Sequence, residues 1–243
     1  MWRIRPRGFC DSISCAPLRR AIHTGDVAAL RQLLSDDPGL ANARIVGADG
    51  VERSMVHVAT DWPGRFPNVA ATLRALASAG ADVNARMSPH PKDPNCVETP
   101  LHWAASSNDV VAIDALLDLG ADIEAPGAIF TGGAPLSDAV VFANWEAARR
   151  LVERGARPTW WQGAALGMLD LVTTRWHDEP LPTRDEITRA FWHACRGAQQ
   201  PTAAYLLERG ADPNWIGWDH KTPLQAAEGS GDAGFVSWLR SRL

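Results

Sequence analysis

The chain has 243 residues, of which 46% are hydrophobic and 21% charged, and its formal net charge is −4. That hydrophobic content is normal for a folded protein and excludes wholesale disorder. The weakly acidic balance gives no general attraction to nucleic acid or to an anionic membrane, so neither is expected as a partner. No apolar run approaches the roughly 20 residues of a membrane helix, and the N-terminus has no apolar signal segment, so a cytoplasmic location is expected.

The sequence shows no motif that is typical of a metal or cofactor site. Cysteines stand at four scattered positions without a CxxC pair: Cys10, Cys15, Cys96 and Cys195. We therefore expect reduced thiols and no metal site. A Gly-rich phosphate loop, a Gly-x-Ser-x-Gly motif and an HExxH motif are all missing from the sequence, so no cofactor is expected. The basic residues are arginines except Lys92 and Lys221, and this bias, with abundant Ala and Gly, indicates high-GC bacterial coding.

The first periodic segments follow an N-terminal arm predicted over residues 1–15. A helix pair opens at Ala16-Pro17-Leu18 and ends near Pro38, and a second pair opens at Ser54. The second pair carries two insertions, at residues 61–67 and 86–97, both rich in proline. Proline and glycine at these positions predict ordered loops and not longer helices.

The segment from residue 99 to 125 shows the helix pair most clearly. Thr99 is a good N-cap, and Pro100 suits the first helical position. An apolar stripe over the first helix is followed by a second stripe that includes Ile113, Leu116 and Leu117, so both leucines are predicted to be buried. Gly120 follows where a left-handed C-cap is wanted. Neither helix is long enough to be stable alone in water, so the pair needs neighbours.

The same pattern recurs along the chain. Gly-Ala-Asp stands at residues 80–82, 120–122 and 210–212, and the helix openings read SMVH, TPLH, APLS and TPLQ from residues 54, 99, 134 and 222. This recurrence resembles the ankyrin repeat, a unit of about 33 residues. The resemblance implies an all-α solenoid of about seven helix-turn-helix repeats with short β-hairpin connections. It also implies one domain over residues 1–243, with repeats that start near residues 16, 54, 99, 134, 158, 189 and 222.

The resemblance places a binding surface on the concave groove, which inner helices and hairpin tips line. One column of aligned residues, after the usual His position, is chemically mixed and is interpreted as lying outside the core: Arg20, Val58, Trp103, Asp138, Gln162, His193 and Ala226. The turns after the inner helices add further aromatic residues, which suit recognition sites. The predicted binding residues are Asp61, Trp62, Phe66, Trp103, Asp138, Phe142, Trp161 and His193. The predicted function is recognition of a protein partner by a monomer.

An alternative is a small-molecule pocket or enzyme in the groove of repeats two to five. Its candidate catalytic residues are His57, Asp61, His102 and Asp138. His57 and Asp61 stand four residues apart, a spacing at which the carboxylate could orient the imidazole as a general base. The resemblance instead gives His57 and His102 a structural role, as hydrogen bonds that bridge turns. An open groove would favour protein recognition, whereas closure by residues 62–66 or by the arm would favour an enzyme.

Overall fold

The computed structural model describes residues 15–47, 49–90 and 93–243. All but the last residue of the predicted N-terminal arm lies outside these ranges, and so does Cys10. The chain divides into two compact units, Met1–Ala156 and Arg157–Leu243, which are described separately here. The expectation of one domain over the whole length stays a prediction.

The first unit is built from four helix pairs. In chain order its helices are α1 (Ala16–Thr24), α2 (Val27–Asp36), α3 (Met55–Thr60), α4 (Val69–Ser78), α5 (Pro100–Ser106), α6 (Val110–Asp118), α7 (Pro135–Val141) and α8 (Trp145–Glu153). The first helices of each pair contact one another in the order α1, α3, α5, α7, and the second helices in the order α2, α4, α6, α8. The result is an inner row and an outer row, with the core between them.

The connections between these pairs carry little regular structure. A 3₁₀ helix at Pro38–Asn42 precedes the strands β1 (Arg44–Val46) and β2 (Glu52–Ser54), which pair antiparallel with Ile45 opposite Arg53. A single antiparallel bridge joins His90 to Asp93 in the next connection. These short hairpins agree with the predicted β-hairpin connections.

The second unit contains three helix pairs. Its helices are α9 (Trp160–Leu166), α10 (Leu169–Thr174), α11 (Arg184–Arg196), α12 (Gln200–Glu208), α13 (Pro223–Glu228) and α14 (Ala233–Arg240), with a 3₁₀ helix at Arg175–His177. Here α9 contacts α11, and α11 contacts α13. The inner helix predicted to open near residue 189 begins at Arg184, because Thr183 caps it by accepting a hydrogen bond from the Glu186 N–H.

The helix signals read from residues 99–125 act as predicted, with one exception. Pro100 is the first residue of α5, and the Asp109 side chain accepts a hydrogen bond of 3.0 Å from the Ala112 N–H at the start of α6. Gly120 follows α6 with φ of +89°, a left-handed conformation that a side chain would strain. Leu116 is fully buried, but Leu117 is only half-buried, so the prediction that both leucines are buried is wrong for Leu117.

Asparagine side chains join the ends of two outer helices, α4 and α6, to the preceding repeat. Asn84 donates a hydrogen bond of 3.1 Å to the Gly120 carbonyl and accepts one of 2.7 Å from the Asp122 N–H. Asn42 makes the equivalent pair of bonds one repeat earlier. These bonds satisfy backbone groups that a helix end leaves without intrahelical partners.

Two further expectations concern membranes and cysteines. No helix among the described residues is long and apolar enough to cross a membrane. Cys96 and Cys195 are free and buried, as expected. Cys15, in contrast, is disulfide-bonded, so the expectation of uniformly reduced thiols is wrong at that residue.

We predict that Leu116→Ala lowers the free energy of unfolding by about 2–5 kcal/mol, because it leaves a cavity in the core between the rows. The matched control is Val111→Ala on the same helix, where the exposed valine contributes little and the change stays within about 0.5 kcal/mol. Urea denaturation measures both. Equal losses of unfolding free energy in the two variants would mean that the face of α6 that carries Leu116 does not pack against the core.

Candidate functional site

His57 and His102 fasten the inner helices to their neighbours. Each accepts the backbone N–H of its own helix cap on Nδ1, at 3.3 Å from Ser54 and 3.1 Å from Thr99. The proton is therefore on Nε2, which donates to the Glu98 carbonyl from His57 at 3.1 Å and to the Gly133 carbonyl from His102 at 3.2 Å. Burial is the largest cause that lowers the pKa of His57 to about 3 and of His102 to about 4.

A pair of buried carboxyl groups lies next to these histidines. Glu98, which immediately precedes the cap of α5, is 8% exposed, and Asp138 on α7 is fully buried. The two carboxyl groups interact, and the charge of Glu98 raises the pKa of Asp138. Neither oxygen of Asp138 has a hydrogen-bond partner in the described part of the chain that would stabilise a second buried charge. The pair therefore holds at most one negative charge at neutral pH.

The surrounding hydrogen bonds assign the proton of the pair to Asp138. Glu98 accepts a bond of 3.0 Å from the Trp103 indole N–H on Oε2 and one of 3.2 Å from the Ile129 N–H on Oε1, as a carboxylate does. Neither oxygen of Asp138 receives a bond from a donor in the described part of the chain. Burial raises the pKa of Asp138 well above its usual value, and the Glu98 charge raises it further. Burial also raises the pKa of Glu98.

Glu98 forms part of the lining of a small surface pocket. The pocket has a volume of about 170 Å³, and its lining residues are Asp61, Trp62, Glu98, Trp103, Ser106, Ser107, Ile129 and Phe142. Trp62 and Phe142 belong to this lining, and the ring of Phe130 lies against that of Phe142. We call these three exposed side chains the aromatic rim: Trp62, Phe130 and Phe142. They are 80%, 69% and 44% exposed, and the rings of Phe130 and Phe142 lie 6.2 Å apart.

The pocket wall is continuous with an apolar cluster. Trp103 and Ile129 pack against the buried side chains of Val51, Met87 and Cys96. This packing keeps water from the carboxyl pair and explains why burial dominates both pKa shifts. The Trp103 ring also meets His57 edge-on at 5.1 Å, and the Arg53 guanidinium lies 5.1 Å from the ring centre. Trp103 is thus held from several sides.

The structure brings only some of the predicted binding residues together. Four of them line the pocket: Asp61, Trp62, Trp103 and Phe142. Asp138 does not line it, but it interacts with Glu98, which does. Phe66 does not, because its ring stacks on His23 at 4.6 Å and it lines a larger cleft near the outer helices. The interpretation of the mixed column as lying outside the core is wrong at four of its positions, which are buried: Val58, Asp138, Gln162 and Ala226.

The predicted catalytic pair of His57 and Asp61 does not form. Helix α3 ends at Thr60, and Asp61 has extended backbone dihedrals, so its carboxylate is not one turn below the imidazole. Asp61 instead accepts the Trp62 N–H at 2.8 Å. Both nitrogens of His57 and of His102 are occupied by hydrogen bonds. Neither ring has a nitrogen available as a general base.

Trp161 and His193 lie in the second unit, where they form a separate aromatic cluster. Their rings are 4.7 Å apart, and His193 also meets Trp192 edge-on at 5.0 Å. Burial lowers the pKa of His193 to about 3. Gln162 does not belong to the mixed column in which the sequence alignment placed it. Its Oε1 accepts the Thr159 N–H at 2.7 Å, which is the role that the imidazoles of His57 and His102 have in the first unit.

Comparisons with known proteins agree with this architecture. Residues 98–125 match the sequence family described as Ankyrin repeat. The fold is similar to the crystal structure of the human ASB11 ankyrin repeat domain, with a TM-score of 0.53 and 20% identity over 94% of this chain and 98% of that one. The chain has the ankyrin-repeat fold. A comparison with curated proteins gave no match.

The predicted ankyrin-repeat solenoid is therefore confirmed, whereas the suggested bacterial origin stays a prediction. Within the repeats, sequence reasoning missed Glu98 and Phe130. Glu98 is the residue before a helix cap, in an extended connection. Helical periodicity does not predict which way a side chain points in such a connection. Its only signal was its position between the repeat-two insertion and the well-formed third repeat. Metal binding stays untested; the described residues contain no group of three or more potential ligands.

The carboxyl pair predicts a loss of stability as the pH rises. Folded Asp138 keeps a proton that the unfolded chain releases above about pH 3.8, so the free energy of unfolding falls from there up to the raised folded pKa. Asp138→Asn donates to Glu98 without titrating, so we predict a smaller loss and equal or greater stability at neutral pH. Denaturant titrations at several pH values measure this. A profile as steep as that of the wild type would contradict the proton assignment.

The buried histidines His57 and His102 predict the opposite trend, a loss of stability as the pH falls. The unfolded chain takes up protons below about pH 6.5, but folded His102 does so only near pH 4, so stability falls between these values. His102→Gln keeps the bond to the helix cap, as Gln162 does, and should show a shallower acid loss. It should also cost about 0.5–1.5 kcal/mol at pH 7 through the lost Gly133 bond. The exposed His177, replaced by Gln, is the control.

Proposed function

We propose that this ankyrin-repeat chain recognises a protein partner through the aromatic rim and the pocket that it surrounds. The observation that carries the proposal is the exposure of Trp62, Phe130 and Phe142 on one surface of the first unit. Large aromatic side chains are rarely left in water together unless they bind something. Such residues are also enriched among those that dominate binding energies at protein interfaces.

The shape of the site supports a protein partner over a free metabolite. Drug-sized ligands occupy pockets of about 300–1,000 Å³, and this pocket is smaller, at about 170 Å³. It accommodates one side chain, while the rim offers a wider surface for the segment that carries it. Trp62 stands out in solvent and Phe66 is turned onto His23, so the loop of residues 61–67 does not close the site. An open surface of this kind suits a macromolecule.

A second candidate function is acid–base chemistry on a small ligand. The observation in its favour is the Glu98–Asp138 pair, because carboxyl groups with raised pKa values are common in active sites. Asp138 does not line the pocket, however, and Glu98 is the one member of the pair that a ligand could reach. Protein recognition therefore remains the proposal.

We predict that Trp62→Ala weakens partner binding by at least about tenfold, while it leaves the melting temperature unchanged. The ring is exposed and makes no core contact, so its loss removes only an interface. A random-peptide phage library selected on the wild-type protein provides the ligands, and isothermal titration of synthetic peptides measures affinity. Trp218→Ala, which removes an exposed Trp of the second unit, is the matched control.

The two variants separate the possible outcomes. Peptides that lose affinity on Trp62→Ala but not on Trp218→Ala support recognition at the rim. Peptides that bind both variants as well as the wild type would move the recognition surface elsewhere. Failure to select any peptide would count against the first unit as a peptide-recognition module.

A further inference from the structure

The Glu98 carboxylate is buried at the pocket without a cation beside it. No ion pair in the described part of the chain involves Glu98, although nearby arginines are paired: Arg53 binds Asp49, and Arg44 binds Glu52. An electrostatic interaction with His90 is among the smaller influences that lower the pKa of Glu98. A buried carboxylate is costly without a compensating charge, and the hydrogen bonds from Trp103 and Ile129 compensate it only in part.

The side chains around this carboxylate also favour a cation. The faces of Trp and Phe rings attract positive charge, and Trp62, Trp103 and Phe142 line the same pocket as Glu98. Asp61 adds a second carboxylate to the lining. An anionic ligand would meet two acids here, and a wholly apolar one would leave the Glu98 charge uncompensated. Charge complementarity therefore points to a positively charged group with an apolar stem.

We propose that the pocket receives a lysine side chain of the protein partner, with its ammonium group on Glu98 and its alkyl chain against Trp62, Trp103 and Phe142. This inference rests on the proposed function and names the chemistry of the partner. The stem would lie along the aromatic rings, which is how long cationic side chains cover apolar surface. The rim residue Phe130 would contact the backbone or neighbours of that lysine.

The acceptor geometry favours an ammonium over a guanidinium group. Both oxygens of Glu98 already accept a hydrogen bond, Oε2 from the Trp103 indole and Oε1 from the Ile129 N–H. An ammonium is a point charge that one acceptor can serve, whereas a guanidinium binds best to two oxygens at once. A fork-shaped arginine bond would have to fit beside both existing bonds, which disfavours it.

The first test uses n-butylammonium as the probe and 1-butanol as its neutral counterpart. Both are titrated into ¹⁵N-labelled protein while the indole resonances of Trp62 and Trp103 are followed by NMR. We expect n-butylammonium to shift both resonances and to bind at least about tenfold more tightly than 1-butanol. Equal binding of the two probes would overturn the proposal, and so would shifts that spare Trp103.

Variants locate the charge that is responsible. Glu98→Gln should remove the preference for n-butylammonium, whereas Glu208→Gln, at an exposed carboxylate of the second unit, should keep it. Trp62→Ala provides a variant that cannot disturb the core, and it should weaken both probes alike. A preference that survives Glu98→Gln in a folded protein would overturn the assignment of the ammonium to Glu98.

The second test separates this inference from the proposed function. In each selected peptide, lysines are replaced one at a time by Gln and by Arg. We expect one Lys→Gln change to lower the affinity of the peptide at least about tenfold. Arg at the same position should recover only part of that affinity. Peptides that need Trp62 but tolerate every Lys→Gln change would keep protein recognition and overturn the lysine. Binding of n-butylammonium without any selectable peptide would overturn both assignments to a protein partner.

Discussion

The architecture depends on the shortness of its helices. The helices of the first unit have between 6 and 10 residues, a length at which an isolated helix is unstable in water. Stability must then come from contacts between repeats, and each repeat supplies them in the same way. Inner helices stack on inner helices, outer on outer, and side chains such as His57, His102 and Asn84 bond to backbone groups of the adjoining repeat. A structure of this kind is held by neighbours and has no single central core.

Glu98 is the point where this scaffold and the candidate site meet. Its backbone carbonyl accepts a hydrogen bond from the imidazole of His57, one of the side chains that join the stacked repeats. Its side chain accepts hydrogen bonds from the Trp103 indole and the Ile129 N–H at the pocket. The hydrogen bonds of the fold thus fix the position of the carboxylate before any ligand arrives. A preorganised acceptor loses little conformational entropy when it binds. The rim differs, since Trp62 and Phe130 are exposed and free to adjust to a partner.

The sequence predicted the repeats well because they depend on local signals. Thr99-Pro100, the spaced leucines and Gly120 each specify a helix start, a buried stripe or a helix end within a few residues. The site depends on contacts between repeats, about 30–40 residues apart, and such contacts leave no local pattern. Reading Asp138 as a surface residue failed for this reason, because the residue that acts on its carboxyl group, Glu98, stands 40 positions earlier. The alignment also failed at Gln162, where an amide replaces the imidazole as the partner of the helix cap.

Asp138 occupies a position that the fold can fill without an acid. The residue after the cap-binding side chain is Val58, Trp103, Gly163 or Ala226 in other repeats, and the buried ones among them need no polar partner. At Asp138 the same place holds a carboxyl group whose pKa is raised by burial and by the charge of Glu98. A buried polar pair of this kind is usually no more stabilising than apolar residues of similar size. Departures from the local rule that bring no gain in stability are expected at functional sites. The acid pair therefore fits the proposed recognition surface beside the aromatic rim better than it fits a role in the stacking of the repeats.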